Sequence, residues 1–254
     1  MPSHLFRTVL LSIMLLPSGG PICAQTADAR SIVQRAEDRI RGERLYAEMK
    51  MTIIRPRWQR EFSLKSWSLG QDYSMVLITA PTRDKGTAFL KRKKEIWNWQ
   101  PSIDRSIKLP PSMMSQSWMG SDFTNDDLVE QSSLVEDYTH RLTGTDQVDR
   151  YRCHVVELIP KPDAAVVWGK VVMWIETEHY LELKVETYDE EGELVNTLLG
   201  KEIRELGGRL LPTRLVLSPA GKPGHQTIVE QLSLDFDTKV SADWFSLENL
   251  KRLD

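Results

Sequence analysis

Apolar and polar residues first follow a helical pattern and then alternate like strands along most of the chain. The early apolar positions, which recur at helical spacing, are Ala29, Ile32, Val33, Ala36 and Ile40. Asp28 can cap the start of this segment, and Gly42 can end it. We therefore predict a helix over residues 27–41, with an apolar stripe that must cover a sheet.

Strand-like segments follow this helix almost without interruption. They lie at residues 45–53, 62–69, 73–79, 87–90, 96–99, 103–109, 134–142, 151–159, 166–176, 181–188, 194–203, 210–217 and 228–236. Residues 166–176 are apolar on both faces, which is typical of a central strand that is covered twice. We expect about ten strands in one antiparallel sheet, which must curl or close to hide its edges.

Two local features predict details of that sheet. The apolar, inward-facing residues fall at even positions in Phe62 and Leu64 but at odd positions in Trp67 and Leu69. This change predicts a β-bulge near residues 65–66. Residues 143–146 read Thr-Gly-Thr-Asp and predict the turn of a hairpin between residues 134–142 and 151–159.

The chain between residues 86 and 129 carries its most distinctive sequence. A hairpin with a basic turn leads to Trp97 and Trp99, and a Ser- and Met-rich apolar segment follows at residues 113–123. Such a segment is either ordinary core, in which Met fills irregular gaps, or an adaptable surface over a cavity for an apolar ligand. The residues that would contact the ligand in the second case are Trp97, Trp99, Met113, Met114, Trp118, Met119 and Phe123.

Residues 97–129, with the sequence Gly-Thr-Ala-Phe-Leu-Lys-Arg before them at 86–92, resemble the signature of the periplasmic outer-membrane lipoprotein-sorting (LolA-like) proteins. They are most similar to a diverged, largely uncharacterised branch of that family. The resemblance implies a mainly β fold: a strongly curved antiparallel sheet, or incomplete β-barrel, with helices covering its concave face. It also implies a hydrophobic cavity for acyl chains and an arginine on an early strand that contacts the helical lid, for which Arg55 and Arg60 are both candidates.

The N-terminus has the pattern of an export signal. Arg7 precedes an apolar run at residues 8–16, and a cleavage site fits after Ala24. We expect residues 1–24 to be a signal peptide and residues 25–254 to form a single LolA-like, lipid-binding domain in the periplasm. Only Cys153 would remain after cleavage, so no internal disulfide is expected, and the thiol fits a half-buried strand.

Charge narrows the class of partner. The formal net charge is −3, and loss of Arg7 with the signal peptide makes it −4, which excludes a globally basic nucleic-acid footprint. Lys91, Arg92, Lys93 and Lys94 form a basic cluster. It is either a solvated hairpin turn or a contact for anionic lipid headgroups or an acidic partner.

The sequence contains no recognisable catalytic or nucleotide-binding motif, and its histidines have no metal-ligand spacing. Asp122, Asp126 and Asp127 would support acid–base chemistry only if they converged in a pocket. We therefore expect no catalytic residue, no metal and no cofactor.

Three functional hypotheses follow, and the first is preferred. It is a periplasmic carrier, not an enzyme, that binds the acyl chains of lipoproteins or lipids and passes them between membranes or membrane complexes. Its partners would be lipid or lipoprotein acyl chains and an inner-membrane transporter, without nucleic acid, and we expect a monomer. The second is an adaptor of an envelope transport complex without lipid cargo, and the third is a hydrolase that uses the acidic cluster.

Overall fold

The computed structural model describes residues 28–129 and 133–253, so the predicted signal peptide at residues 1–24 lies outside the described residues. Within these ranges the chain forms helices α1 (Ala29–Arg41), α2 (Asn125–Val129) and α3 (Leu247–Arg252). The strands of the same ranges are β1 (Arg44–Arg55), β2 (Trp58–Leu69), β3 (Tyr73–Ala80), β4 (Ala88–Arg92), β5 (Glu95–Gln100), β6 (Arg105–Leu109), β7 (Tyr138–Val148), β8 (Tyr151–Pro160), β9 (Lys170–Glu176), β10 (Glu182–Tyr188), β11 (Leu194–Leu206), β12 (Arg209–Pro219) and β13 (Gln226–Asp235).

All thirteen described strands belong to one antiparallel sheet, in the order β6-β5-β4-β3-β2-β1-β13-β12-β11-β10-β9-β8-β7. Strands that are neighbours in sequence pair with each other, except β6 and β7, and the pairing of β1 with β13 joins the two halves. Strands β6 and β7 are the free edges, and the sheet does not close into a barrel. This open, strongly curved sheet confirms the predicted fold class, although it has more strands than the ten or so expected.

Helix α1 covers one face of the sheet, here called the inner face, as its apolar stripe predicts. Ile32 and Val33 are fully buried, and they pack with residues of β7 to β10 such as Met173 and Val185. Gly42 ends the helix with φ +64°, and its N–H donates to Asp38 O.

The opposite, outer face carries a second core at the other end of the sheet. Met75, Leu77 and Leu90 point to this side and pack against Phe245 and Leu250, from the chain that leads into α3 and from α3 itself. Strand β3 is therefore buried on both faces, because its alternate residues Val76 and Ile78 belong to the inner core.

This two-sided burial explains why the predicted bulge at residues 65–66 is wrong. Strands β1 and β2 pair without a register shift from Arg44–Leu69 to Arg55–Trp58. The apparent phase change arises because Phe62 and Leu64 pack in the inner core, whereas Trp67 and Leu69 pack in the outer core. The irregularity in β2 lies instead between Ser63 and Leu64, in its pairing with β3.

The hairpin between β7 and β8 exists, but its turn is not at residues 143–146. Strand β7 continues through this segment to Val148, with a register shift between Leu142 and Gly144. The chain reverses at Asp149, which has φ +51°. The Thr-Gly-Thr-Asp sequence thus forms an irregular stretch of strand, in which Thr143 is the extra residue of the bulge.

No helix of the described residues is both long and apolar enough to cross a membrane.

Candidate functional site

An apolar cavity of about 290 Å³ lies on the inner face, between α1, the chain around Phe123 and strands β9 to β12. Helix α1 contributes Val33 and Ile40 from its apolar stripe. The strands contribute every second residue, because alternate side chains of a strand face the same side. Those used below are Val185, Leu198 and Leu217.

A second, more open and more polar groove of about 730 Å³ adjoins this cavity. Its walls carry basic residues, including Arg55 and Lys222, together with acidic residues from the turn between β10 and β11, Asp189, Glu190 and Glu191. Phe123, Trp168 and Asn196 line both spaces. The two spaces therefore meet at these side chains, with a polar opening outside and an apolar chamber inside.

Acidic side chains also reach the apolar cavity. Glu37 and Arg41 of α1 lie one helical turn apart and form an ion pair at 3.3 Å. Asp126 is buried, and Asp127 forms a reciprocal cap with Thr124. In that cap Thr124 N donates to Asp127 Oδ2 at 2.8 Å, and Asp127 N donates to Thr124 Oγ1 at 3.1 Å. Thr124 and Asp127 therefore cap the start of α2.

Desolvation raises the pKa of the Asp127 carboxyl, because it disfavours the charged form. The hydrogen bonds from Thr124 favour the ionised form and oppose this shift, and the neighbouring Asp126 adds to it. Asp126 and Asp127 thus both line the cavity, whereas Asp122, the third aspartate of the acid–base hypothesis, lines the groove and pairs with Arg55. Asp127 is already engaged in capping α2, which gives it a structural role.

The Met-rich segment, residues 113–123, forms a compact loop on the inner face beside this cavity. Its backbone bonds to itself, with Trp118 N donating to Phe123 O at 2.8 Å and Asn125 N donating to Gln116 O at 2.9 Å. Trp118 is only 1% exposed, and its ring lies 5.7 Å from Phe62 and 5.8 Å from Phe89 between ring centroids. Most of the segment therefore packs as core against β1 to β5.

Arg55, at the end of β1, ties this segment to the sheet. Its guanidinium donates to Asp122 Oδ2 at 2.9 Å and to Gly120 O at 2.8 Å, and both charged side chains are less than a tenth exposed. Thr227 of β13 also donates to Asp122 Oδ2, at 2.8 Å. Arg60 instead pairs with Asp84 at 2.6 Å, away from the segment. Of the two candidate arginines, Arg55 is the one that contacts the helical and loop cover of the inner face.

The structure separates the seven residues predicted to contact lipid into three groups. Phe123 lines the cavity and the groove. Met114 and Trp118 are buried in the inner core, and Met113 and Met119 pack against the same cluster.

The remaining two, Trp97 and Trp99, lie on the outer face with the C-terminal residues. They do so because Ile96 and Asn98, their neighbours in β5, alternate to the inner side. Trp97 and Trp99 are therefore on the opposite side of the sheet from Phe123.

The predicted basic cluster is also divided. Lys91 lies within β4 and is buried, at 4% exposure. Arg92, Lys93 and Lys94 are exposed at the turn to β5, where Lys93 adopts φ +55°. A contact with an anionic surface can therefore involve these three residues but not Lys91.

Sequence reasoning did not single out Trp168, Asn196 and Thr187, which line the cavity. The sequence feature that could have indicated Trp168 is that residues 166–176 are apolar on both faces of the predicted strand. Asn196 and Thr187 are single polar residues in strands, and nothing near them in sequence marks them.

His179 lies beside Glu176 and Glu178, in a group that the spacing of histidines alone did not suggest. The two carboxylate oxygens of Glu176 accept the backbone N–H groups of Glu178, at 2.8 Å, and His179, at 2.6 Å. These bonds account for the cluster as a tight turn between β9 and β10.

Solved structures with the same architecture include the following three. A DUF1329 family protein from Desulfovibrio piger superimposes with a TM-score of 0.79 and 23% identity, over 87% of this chain and 97% of that one. A putative outer membrane lipoprotein-sorting protein domain from Vibrio parahaemolyticus gives 0.78 and 25%, over 88% and 98%. A LolA superfamily protein from Nitrosomonas europaea gives 0.75 and 23%, over 87% and 98%. No curated protein matches the chain.

An open antiparallel sheet with helices across its inner face, shared with these structures, places the chain in the LolA-like class. A family model described as "Uncharacterized protein" matches residues 70–252, and the chain belongs to that family. The matched range includes the Met-rich segment and the strands that line the cavity.

Proposed function

We propose that this protein is a periplasmic carrier that binds acyl chains of lipoproteins or lipids in the inner-face cavity and passes them between membranes or membrane complexes. The observation that carries the proposal is the apolar cavity between α1 and strands β9 to β12. The likeness to the Vibrio parahaemolyticus protein, a putative outer membrane lipoprotein-sorting protein domain, supports it. Binding and release would need no covalent chemistry.

The size of the cavity suits part of one acyl chain. Its volume of about 290 Å³ is near the lower end for small-molecule sites, which run from roughly 300 to 1,000 Å³. Each buried methylene contributes about 0.8 kcal/mol, so part of one acyl chain gives useful and reversible affinity. Phe123 and Trp168, which line both the cavity and the groove, are the side chains whose movement would admit or release it.

A specific observation also favours the adaptor hypothesis. Strand β6 is a free edge, and Ile107 within it and Ile103 just before it are 44% and 56% exposed. Free edges with apolar side chains can pair with a strand of another protein. This surface is separate from the cavity, so substitutions distinguish the two functions.

The test uses a charged residue placed in the cavity. Leu198→Asp puts a carboxylate among apolar groups, and we expect it to weaken binding of a fluorescent fatty-acyl probe by about tenfold or more, because desolvation penalises the charge. Leu232→Asp is the matched control, since Leu232 is 58% exposed and lines neither space. Lipid extracted from the purified protein should be identified by mass spectrometry alongside.

Equal probe binding by both variants, or an absence of both bound lipid and probe binding in the wild type, would contradict the carrier. If the wild type bound no lipid, and Ile107→Asp abolished its association with an envelope transport complex, the adaptor hypothesis would be established instead.

A further inference from the structure

The residues that face inward from β10, β11 and β12 form three levels between the polar groove and the apolar cavity. In β11 these residues are Leu194 and Val195 at the groove, where the register shifts by one residue, Asn196 at the junction and Leu198 in the cavity. Successive levels are about 7 Å apart, because a strand rises roughly 3.3 Å per residue. The register aligns Asn196 with Thr187 of β10 and Pro219 of β12.

The middle level carries two polar groups that the protein does not pair. Asn196 is 5% exposed, and its side-chain amide makes no hydrogen bond with the part of the chain that the structure describes. Thr187 Oγ1 is buried and likewise has no hydrogen-bond partner among the described residues. One level deeper, the aligned residues Val185, Leu198 and Leu217 are all apolar.

Buried amides and hydroxyls are normally hydrogen-bonded, and leaving them unpaired opposes folding. A buried, unpaired Thr187 hydroxyl and an Asn196 amide that lines both spaces lie at one level, between a polar opening and an apolar chamber. Together they point to a ligand that brings its own polar group to that depth. A polar group joined directly to an apolar chain fits the order of the levels.

We propose that Asn196 and Thr187 bind the carbonyl linkage of an ester- or amide-linked acyl chain, with the chain in the cavity and the headgroup in the groove. The Asn196 amide would donate to the carbonyl oxygen and could accept from an amide N–H, and the Thr187 hydroxyl is a second donor. This inference rests on the proposed function and assigns its ligand class. The linkage is shared by glycerolipid esters and by N-acylated protein termini.

The groove is lined by charges of both signs, with an excess of acidic residues. Its two basic residues Arg55 and Lys222 face four acidic ones, Asp122, Asp189, Glu190 and Glu191. Uncharged probes therefore isolate the effect of the linkage.

The experiment compares three uncharged probes with equal chains on the delipidated protein: monopalmitoylglycerol, hexadecylglycerol ether and N-palmitoylethanolamine. The ether lacks the carbonyl group and is otherwise matched to the ester. We expect the wild type to bind the ester or the amide about twofold to tenfold more tightly than the ether, as one neutral hydrogen bond allows. The ratio of ester to amide affinity then separates glycerolipid from N-acyl cargo.

Asn196→Leu should reduce this preference to about unity while it retains binding of the ether, and Asn196→Ala serves if the leucine variant does not fold. Thr187→Val, which keeps the side-chain shape, should reduce the preference in part. Equal binding of all three probes by the wild type, or a preference that survives in the Asn196 variants, would overturn the inference and leave the carrier standing. If the wild type bound none of the probes, the carrier proposal itself would fail.

Discussion

The buried ion pair between Arg55 and Asp122 should hold the cover of the inner face to the sheet, and Arg55→Ala tests this directly. The substitution removes the donors to Asp122 Oδ2 and Gly120 O, and it leaves the Asp122 carboxylate, whose side chain is 7% exposed, without its counter-ion. Removal of one partner of a buried pair costs about 3–5 kcal/mol, because the remaining charge stays desolvated. For a domain of this size the unfolding midpoint should fall by roughly 6–20 °C.

Arg60→Ala is the matched control, because Arg60 lies on the neighbouring strand and pairs with Asp84 at 2.6 Å. The Arg60 side chain is 33% exposed and does not touch the Met-rich segment, so its loss should cost about 1 kcal/mol or less. Urea unfolding measures both variants. Hydrogen exchange of the amides of Trp118 and Asn125, which close the loop, measures local opening.

We expect the two amides to exchange faster in Arg55→Ala and to be unchanged in Arg60→Ala. The double variant Arg55→Ala with Asp122→Asn should lose less stability than the sum of the single changes, because the second substitution removes the orphaned charge. If Arg55→Ala cost no more than Arg60→Ala and left exchange unchanged, the pair would not hold the segment.

Three further outcomes are expected. Trp118→Ala should lower the free energy of unfolding of the delipidated protein by about 3–5 kcal/mol, because the ring is fully buried against two phenylalanines. Urea unfolding measures this change, and a loss near zero would mean that the ring faces empty space. The free energy of unfolding of Asp127→Asn should rise relative to that of the wild type as pH increases above about 4. The reason is that the pKa of the Asp127 carboxyl is raised in the folded protein, so the wild type loses stability as pH rises through that pKa. A difference between the two proteins that did not change with pH would contradict this. Replacement of Arg92, Lys93 and Lys94 by serine should weaken binding to anionic vesicles at low salt but not at high salt, because salt screens exposed charges. Unchanged binding at low salt would mean that the turn only contacts solvent.

Helices and strands were predicted well from the sequence where their apolar residues all face one core. Helix α1 and its covering role follow from a single stripe, and strands β1, β3 and β8 to β13 lie close to their predicted positions. The failures at β2 and β7 share a cause. Alternation reports which face of a strand is buried, but the sheet has cores on both faces, so a strand that passes from one core to the other looks as if its register had shifted.

The candidate site was less predictable. Residues 113–123 fit either core or the cover of a cavity, and the structure divides them, with Trp118 in the core and Phe123 at the cavity. Asn196 and Thr187 are candidate ligand contacts because the strand register aligns them and because the buried Thr187 hydroxyl has no hydrogen-bond partner among the described residues. Neither property is encoded in the residues near them in sequence.

The division of the inner face indicates which part of the cover can move. Beneath Trp118 the sheet residues Phe62 and Phe89 fill the space, so lifting this part would expose a packed core. Between α1 and β9 to β12 the space is already open, and Phe123 is the point at which the Met-rich segment meets it. Asp122, which pairs with Arg55, immediately precedes Phe123 in the chain, and this ion pair anchors the packed side. Opening should therefore occur on the far side of this anchor, at Phe123 and Trp168, while the Met-rich core remains in place.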